Sequence, residues 1–133
     1  MSKQPYSPEL LLLSQQHETF LKLIKKMRGA ATADFILLFT AMFAHLESHF
    51  AAEQSLMIKS DYPGTNEHFN DHLHVLNVLQ SIKEDVTRGG LAEARLFVQG
   101  ELAHWFEEHL QTMDEPLDSY LAGLDTNSEQ LSA

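Results

Sequence analysis

The chain of 133 residues contains no cysteine, and this absence excludes several chemistries at once. Without a thiol there is no disulfide, no thiolate nucleophile and no cysteine-ligated zinc or iron–sulfur site. Basic residues are also scarce, since nine Lys and Arg stand against 19 Asp and Glu and the formal net charge is -10. Such a surplus of negative charge repels phosphates and anionic membrane surfaces, so we predict neither nucleic acid nor a membrane surface as a partner.

Long apolar runs are missing as well. No run of consecutive apolar residues reaches the length of a membrane span, and the four leucines near the N-terminus are too few for the apolar region of a signal peptide. We therefore predict no membrane insertion and a cytoplasmic location, with which the lack of cysteine agrees. The length fits one domain, 1–133, with a core at about 7–122 and a frayed C-terminal tail.

Glycine and proline are few, six and four, and at least one glycine lies in each connection between the apolar segments. In four segments the apolar residues recur at helical spacing, and no segment shows the alternation typical of strands. Short connections between long helices favour an all-α fold, an antiparallel up-down-up-down four-helix bundle. The predicted helices are Ser7 to Met27, Thr32 to Lys59, Thr65 (as N-cap) to Arg88, and Leu91 onward, with Pro116 kinking or ending the last.

Polar side chains interrupt the apolar faces of the second and third helices. His49 and Glu53 are four residues apart in the second, and His68 and His72 are four apart in the third. A spacing of four places both members of a pair on one face, one turn apart. An unpaired carboxylate in a core is costly, so these pairs predict something that compensates the charge of Glu53.

The first and fourth helices carry further candidates. His17 lies in the apolar first helix, and His109 and Asp114 lie in the fourth. The last two are five residues apart, which rotates them by roughly 140° at about 100° per residue. They share one site only if the aspartate, close to the disturbance at Pro116, reaches back across the helix.

A lone His-x-x-x-His pair is a weak signal, and His45 and His49 form a second one. The conjunction is stronger, because all four helices contribute and the neighbouring positions are apolar. Five imidazoles and two carboxylates suit iron, copper, nickel or zinc; seven ligands are too many for one such ion and reasonable for two. We therefore predict a metal centre in the bundle core, in which a carboxylate can bridge two ions.

The order and spacing of these residues resemble the hemerythrin family, in its single-domain bacterial form. The resemblance covers about Gln16 to Leu121 and rests on "QQH", "HFAAEQSLM", "YPGTNEHFNDH" and "WFEEHLQTMD". It implies two iron ions joined by a solvent-derived oxygen. By the resemblance, His68, His72 and His109 hold one iron, His17 and His49 hold the other, and Glu53 and Asp114 bridge both.

The resemblance also implies a function, reversible O2 binding for storage, transport or sensing, with nitric oxide or azide as alternative ligands. O2 is expected at the His17/His49 iron, which is one ligand short. Helical spacing allows Phe20 and the three residues that flank His109 to face the same cavity, and similar positions line the O2 pocket in the family. The predicted pocket residues are Phe20, Trp105, Phe106 and Leu110; the alternative is that all four are ordinary core.

Other interpretations stay open. A di-iron enzyme on the same fold, a peroxidase, oxidase or nitric oxide reductase, is the main alternative to a binding protein. A ferritin-like oxidase needs two Glu-x-x-His motifs, and the chain has one, Glu101 to His104, outside the ligand set. Ser14, Gln15 and Gln16 precede His17 where the family commonly has an acidic residue, which leaves the outer hydrogen-bond partner of His17 open. His45 is an outer partner or a core residue, and His74, like His104, is expected to be solvated.

Overall fold

The computed structural model describes the backbone of residues 7–132 and the side chains of residues 8–124. Within that part the chain is helical and has no strand, which confirms the all-α class. The first three helices match the predicted segments closely. The helices are α1 (Ser7–Met27), α2 (Thr32–Lys59), α3 (Thr65–Thr87), α4 (Leu91–Phe97), α5 (Ala103–His109) and α6 (Glu115–Ser132), with π-helical turns at Val98–Leu102 and Leu110–Asp114.

The last three helices and the two π turns form one continuous segment, which we call the composite fourth helix (91–132). The junction residues Val98 and Leu110 keep helical backbone angles, φ -63° and ψ -40° for the first and φ -57° and ψ -46° for the second. Pro116 does not end this helix; it is the second residue of α6. The π turn just before Pro116 already interrupts the regular i→i−4 hydrogen bonds of the helix. The N–H that proline lacks is therefore not needed for them at this point.

The ends of the segments follow local chemistry. Gly29 and Gly89, just beyond α1 and α3, have φ of +69° and +96°, a region that glycine enters at little cost. The predicted N-cap Thr65 is wrong: Gly64 holds the N-cap position, and the Thr65 hydroxyl donates to the carbonyl of Tyr62 at 2.5 Å. At the other end of the chain, α6 reaches Ser132, and the predicted fraying of the tail stays a prediction.

The helices contact one another in chain order. Contacts join α1 to α2, α2 to α3 and α3 to α4. The first and last segments also meet, since the rings of Phe20 on α1 and Phe106 on α5 lie 4.4 Å apart between centroids. This arrangement is consistent with the predicted four-helix bundle; the up-down order of the helices stays a prediction.

Two apolar clusters fill the interior at different levels along the helices. The larger contains Phe20 of α1, Phe50 of α2, Val75 of α3 and Phe106 of α5 among its buried residues. The smaller lies beyond the opposite side of the polar positions. Its buried residues are Leu13, Leu56, Met57, Leu117 and Leu121. On each helical segment the predicted ligands therefore lie at a level bordered by apolar packing.

Helix α2 is long and apolar enough to cross a membrane by length and composition, although its apolar residues are not consecutive. In the structure its inner face is buried, from Phe35 to Met57. That buried face also carries His49 and Glu53. The core thus accounts for part of the apolar character of α2, while Ile36, Leu37 and Ile58 are exposed.

Candidate metal centre

The structure brings all seven predicted ligands together between the two apolar clusters. Six of them are at most 4% exposed, and the side chain of His17 is 16% exposed. Their ligand atoms form two groups, each within 4.8 Å and able to hold a metal ion. One group is Glu53, His68, His72, His109 and Asp114; the other is His17, His49 and Glu53.

The π turn at Leu110–Asp114 brings the two ligands of the composite fourth helix to one face. In a π turn the hydrogen bonds run from i to i+5, so residue i+5 lies about one turn above residue i. Asp114 is five residues after His109, and its Oδ1 lies 3.1 Å from His109 Nε2. The rotation expected for a regular helix is removed by the turn itself.

Both carboxylates lie between histidines of the two groups. Oδ1 of Asp114 is 3.1 Å from Nε2 of His68, and Oδ2 is 3.2 Å from Nε2 of His17. Oε1 of Glu53 is 3.3 Å from Nε2 of His49 and 3.3 Å from Nε2 of His72. Each acid is therefore within reach of an ion in either group.

The buried polar atoms that face this space test whether a metal fits. Burial without a hydrogen bond costs roughly 1 to 3 kcal/mol for a polar group, so such atoms are rare in cores. Here they are concentrated at one place, and all are common metal-ligand atoms. Ten buried side-chain atoms of the described residues lack a hydrogen bond, and eight of them face this space: Nε2 of His17, His49, His68, His72 and His109, Oε1 of Glu53, and both carboxylate oxygens of Asp114; the other two are Nδ1 of His68 and Oε2 of Glu9. The residues present fit bound metal.

The electrostatics agree with this donor set. Burial alone would raise the pKa of Asp114, but His109, His17 and His68 hold that pKa far below its usual range. Burial likewise opposes ionisation of Glu53, whose pKa is nevertheless lowered by the adjacent imidazoles of His49 and His72. Both acids therefore remain carboxylates at neutral pH, the form that binds cations.

Outer hydrogen bonds orient three of the five imidazoles. Nδ1–H of His49 donates to Oε1 of Gln16 at 2.5 Å, and Nδ1–H of His109 donates to Oδ2 of Asp71 at 2.6 Å. Nδ1 of His72 lies 3.3 Å from the side-chain amide of Gln54. The nearer atom of that amide is its nitrogen, which donates to Nδ1 of His72; an amide oxygen on that side would instead accept Nδ1–H and leave Nε2 of His72 free for a metal, as in His49 and His109.

None of these three partners was predicted from the sequence. Asp71 is three residues after His68, so a carboxylate one turn from a ligand was the available signal. Gln54 directly follows Glu53 and gave no signal. Gln16 stood out only as one of three non-acidic residues before His17, whereas in the structure its side chain accepts a hydrogen bond from His49 on another helix.

The four predicted pocket residues lie in different surroundings. The ring centroid of Phe106 lies 5.8 Å from that of His17 and 4.4 Å from that of Phe20. These two aromatics therefore lie beside the group that contains His17 and His49, which we call the two-histidine side. Trp105 instead stacks on His109 at 4.6 Å between centroids, on the side of His68, His72 and His109, which we call the three-histidine side. Leu110 is partly buried against the larger apolar cluster.

The remaining histidines take no part in the ligand groups. His45 donates from Nε2 to the backbone carbonyl of Gln16 at 2.9 Å, which makes it an anchor between α2 and α1. His104 is exposed and lies 3.0 Å from the exposed Glu108. His74 is exposed too and lines a cavity of about 110 Å³ together with Trp105.

Comparison with known proteins places the chain in a family. The family model described as the hemerythrin HHE cation binding domain matches residues 10–117. A relative from Ralstonia nicotianae, named bacteriohemerythrin, is 34% identical over 106 residues, which cover 80% of this chain and 77% of the relative. No solved structure matches significantly. With a matching family model over most of its length and a buried cluster of histidines and carboxylates that can hold metal, the chain belongs to the hemerythrin family.

Proposed function

We propose that this protein binds O2 reversibly at a non-haem di-iron centre, for storage, transport or sensing. The observation that carries the proposal is that Glu53 belongs to both ligand groups. A single ion would leave one of the two groups, and its buried orphan atoms, without a partner. Two ions that share the carboxylates of Glu53 and Asp114 satisfy both.

The uneven number of histidines supports a site for an exogenous ligand. Three imidazoles, those of His68, His72 and His109, face one ion position, and only those of His17 and His49 face the other. A metal site that binds a small molecule needs a coordination position that the protein leaves open. We therefore assign O2, or azide and nitric oxide in its place, to the two-histidine position.

When bound, two ferrous ions supply the electrons and the open coordination position that O2 requires. The chain contributes orientation and the exclusion of water. Phe106 and Phe20, buried side by side next to His17, present hydrocarbon rather than hydrogen-bonding groups to the open side. Both rings also line a surface cavity of about 280 Å³, which gives an apolar gas a path toward them.

The aromatic residues beside His17 favour a binding protein over an enzyme. Turnover of peroxide or nitric oxide needs protons delivered at the open position, by a general acid within hydrogen-bond reach. Phe106, and Phe20 behind it, carry no such group; beyond the predicted ligands, Asp118 is a titratable side chain that interacts with the charge of His17, and burial and Asp114 raise its pKa to about 6. Phe20 and Phe106 therefore support retention and release of an unchanged ligand.

The test is metal analysis combined with optical spectroscopy. We expect close to two irons per chain, oxo-bridged ferric charge-transfer bands in the oxidised protein, and a stable oxy spectrum when the reduced protein meets air. One tightly bound zinc without iron, after expression in iron-replete medium, would refute the di-iron centre. Rapid turnover of added peroxide or nitric oxide, with no stable oxy spectrum, would favour the enzymatic alternative.

A further inference from the structure

The shortest outer hydrogen bonds of the two ion positions have acceptors of different charge. On the three-histidine side, Nδ1–H of His109 donates to the carboxylate of Asp71 at 2.6 Å. On the two-histidine side, Nδ1–H of His49 donates to the neutral amide oxygen of Gln16 at 2.5 Å. The geometry is alike, and the acceptor differs by one negative charge.

Gln16 is held in place from a second direction. Its backbone carbonyl accepts a hydrogen bond from Nε2–H of His45 at 2.9 Å. His45 and His49 are one turn apart on α2, and their rings stack nearly parallel, 9° between planes. Two histidines of α2 thus donate hydrogen bonds to one residue of α1, and these bonds hold the amide oxygen of Gln16 at Nδ1 of His49.

The charge of such an acceptor changes how strongly the imidazole binds a cation. A carboxylate draws the Nδ1 proton toward itself and raises the electron density at Nε2, whereas an amide does so less. The loss of an outer partner typically costs about 10- to 100-fold in metal affinity. A difference in the charge of that partner is therefore large enough to make two neighbouring positions unequal.

We propose that Gln16 is a positioning residue of the two-histidine position and that its neutral amide keeps this position the weaker of the two. Asp71 strengthens the three-histidine position in the opposite sense. The inference rests on the proposed function in requiring two ions. It goes further by naming the residue through which the chain adjusts the position at which the exogenous ligand binds.

The test uses Gln16→Glu, which adds a charge with little change of size. The full-length chain is loaded with Co²⁺, titrated with a chelator, and analysed for remaining metal at each step. Two ions should leave the parent protein in separate steps. In Gln16→Glu the weaker ion should be retained about tenfold more tightly, and in Asp71→Asn the stronger ion should be lost about 10- to 100-fold more easily.

Gln15→Glu is the matched control, because Gln15 is exposed and adds the same charge to the same helix one residue away. It should leave both release steps within about twofold of the parent, since it creates no outer partner for a ligand. A second readout is the proton NMR spectrum of the Co²⁺ protein. The hyperfine-shifted Nδ1–H signal of His49 should move in Gln16→Glu and stay in place in Gln15→Glu.

The outcomes separate the possibilities. Equal tightening by Gln16→Glu and Gln15→Glu would show a general charge effect and overturn the role of Gln16. The role of Gln16 would also be overturned if both ions left Gln16→Glu and the parent at the same chelator concentrations. The di-iron centre would stand in that case. If the parent protein bound a single ion per chain, whether loaded with Co²⁺ or with iron, the proposed function and this inference would both be overturned.

Discussion

Replacing Glu53 with Gln tests the centre through one buried side chain of unchanged size. Glu53 is 1% exposed, and its Oε1 lies 3.3 Å from Nε2 of both His49 and His72. An amide has no charge to neutralise two cations and only one oxygen with which to bind them. Loss of even an outer partner costs about 10- to 100-fold in metal affinity, so we expect a loss of at least about 100-fold for this shared ligand.

That loss translates into stability, because metal binds the folded chain. At a free metal concentration of about 100 times Kd, binding stabilises the folded state by about 2.7 kcal/mol. A site 100-fold weaker retains about 0.4 kcal/mol under the same conditions, a difference of about 2.3 kcal/mol. For a chain of this size that corresponds to a fall in Tm of about 7 to 12 °C. With chelator present the fall should be smaller, because only the interaction of the carboxylate with the imidazoles of His49 and His72 is then removed.

The assay is thermal unfolding by circular dichroism, with metal and with chelator, together with metal analysis. His74→Ala is the control, since His74 is exposed and outside both ligand groups; it should keep its metal and its metal-dependent Tm. The reasoning would be refuted if Glu53→Gln kept two ions per chain. A Tm lowered equally with and without metal would also refute it, because the effect would then be one of packing.

Three further predictions concern the surroundings of the centre. Phe20→Tyr or Leu110→Asn should speed autoxidation with iron content nearly intact; lost thermal stability with an unchanged autoxidation rate would make them ordinary core. Burial alone would lower the pKa of His17 and of His109, but Asp114 raises both pKa values overall. The two protonated histidines therefore stabilise the metal-free fold fully below about pH 6.5, and this contribution is lost as pH rises through their folded-state pKa values. Burial lowers the pKa of His72, whose opposing effect on stability is confined to pH values below about 6.5. Above about pH 6.5 the urea midpoints of the metal-free protein should therefore fall, whereas those of the loaded protein should rise because ligands must lose protons. Parallel pH profiles would contradict this. Tyr120→Phe removes the hydroxyl that donates to the carbonyls of Ser60 at 2.8 Å and Asp61 at 3.2 Å, and should cost about 1 kcal/mol in urea unfolding without loss of metal.

Features governed by local spacing were predictable. The bounds of α1 and α2 follow from the 3.6-residue recurrence of apolar side chains and from the glycines and prolines beyond their ends. The same periodicity placed His49 with Glu53 on one helix face, because residues four apart always share a face. That these residues hold iron stays a prediction, although the structure gathers their side chains at one level.

Features that depend on how helices meet were not predictable. The π turn before Pro116 looks like a regular helix in sequence, and the offset between His109 and Asp114 seemed an obstacle because 100° per residue was assumed. The turn costs regular hydrogen bonds, and such turns occur frequently at functional sites. Helical spacing likewise assigns Trp105 to a face of its own helix. It does not show whether the ring packs on His109, as it does in the structure, or faces the two-histidine position.

The sequence by itself determined which residues are candidates for the centre, since the pattern of apolar and polar positions along a helix is written in a few consecutive turns. Only the tertiary structure decided how those residues are oriented. Gln16 contacts His49 across 33 residues, and Asp71 contacts His109 across 38. Such hydrogen bonds require the crossing and axial register of two helices, which are set by the packing of both apolar clusters and not by spacing within either helix.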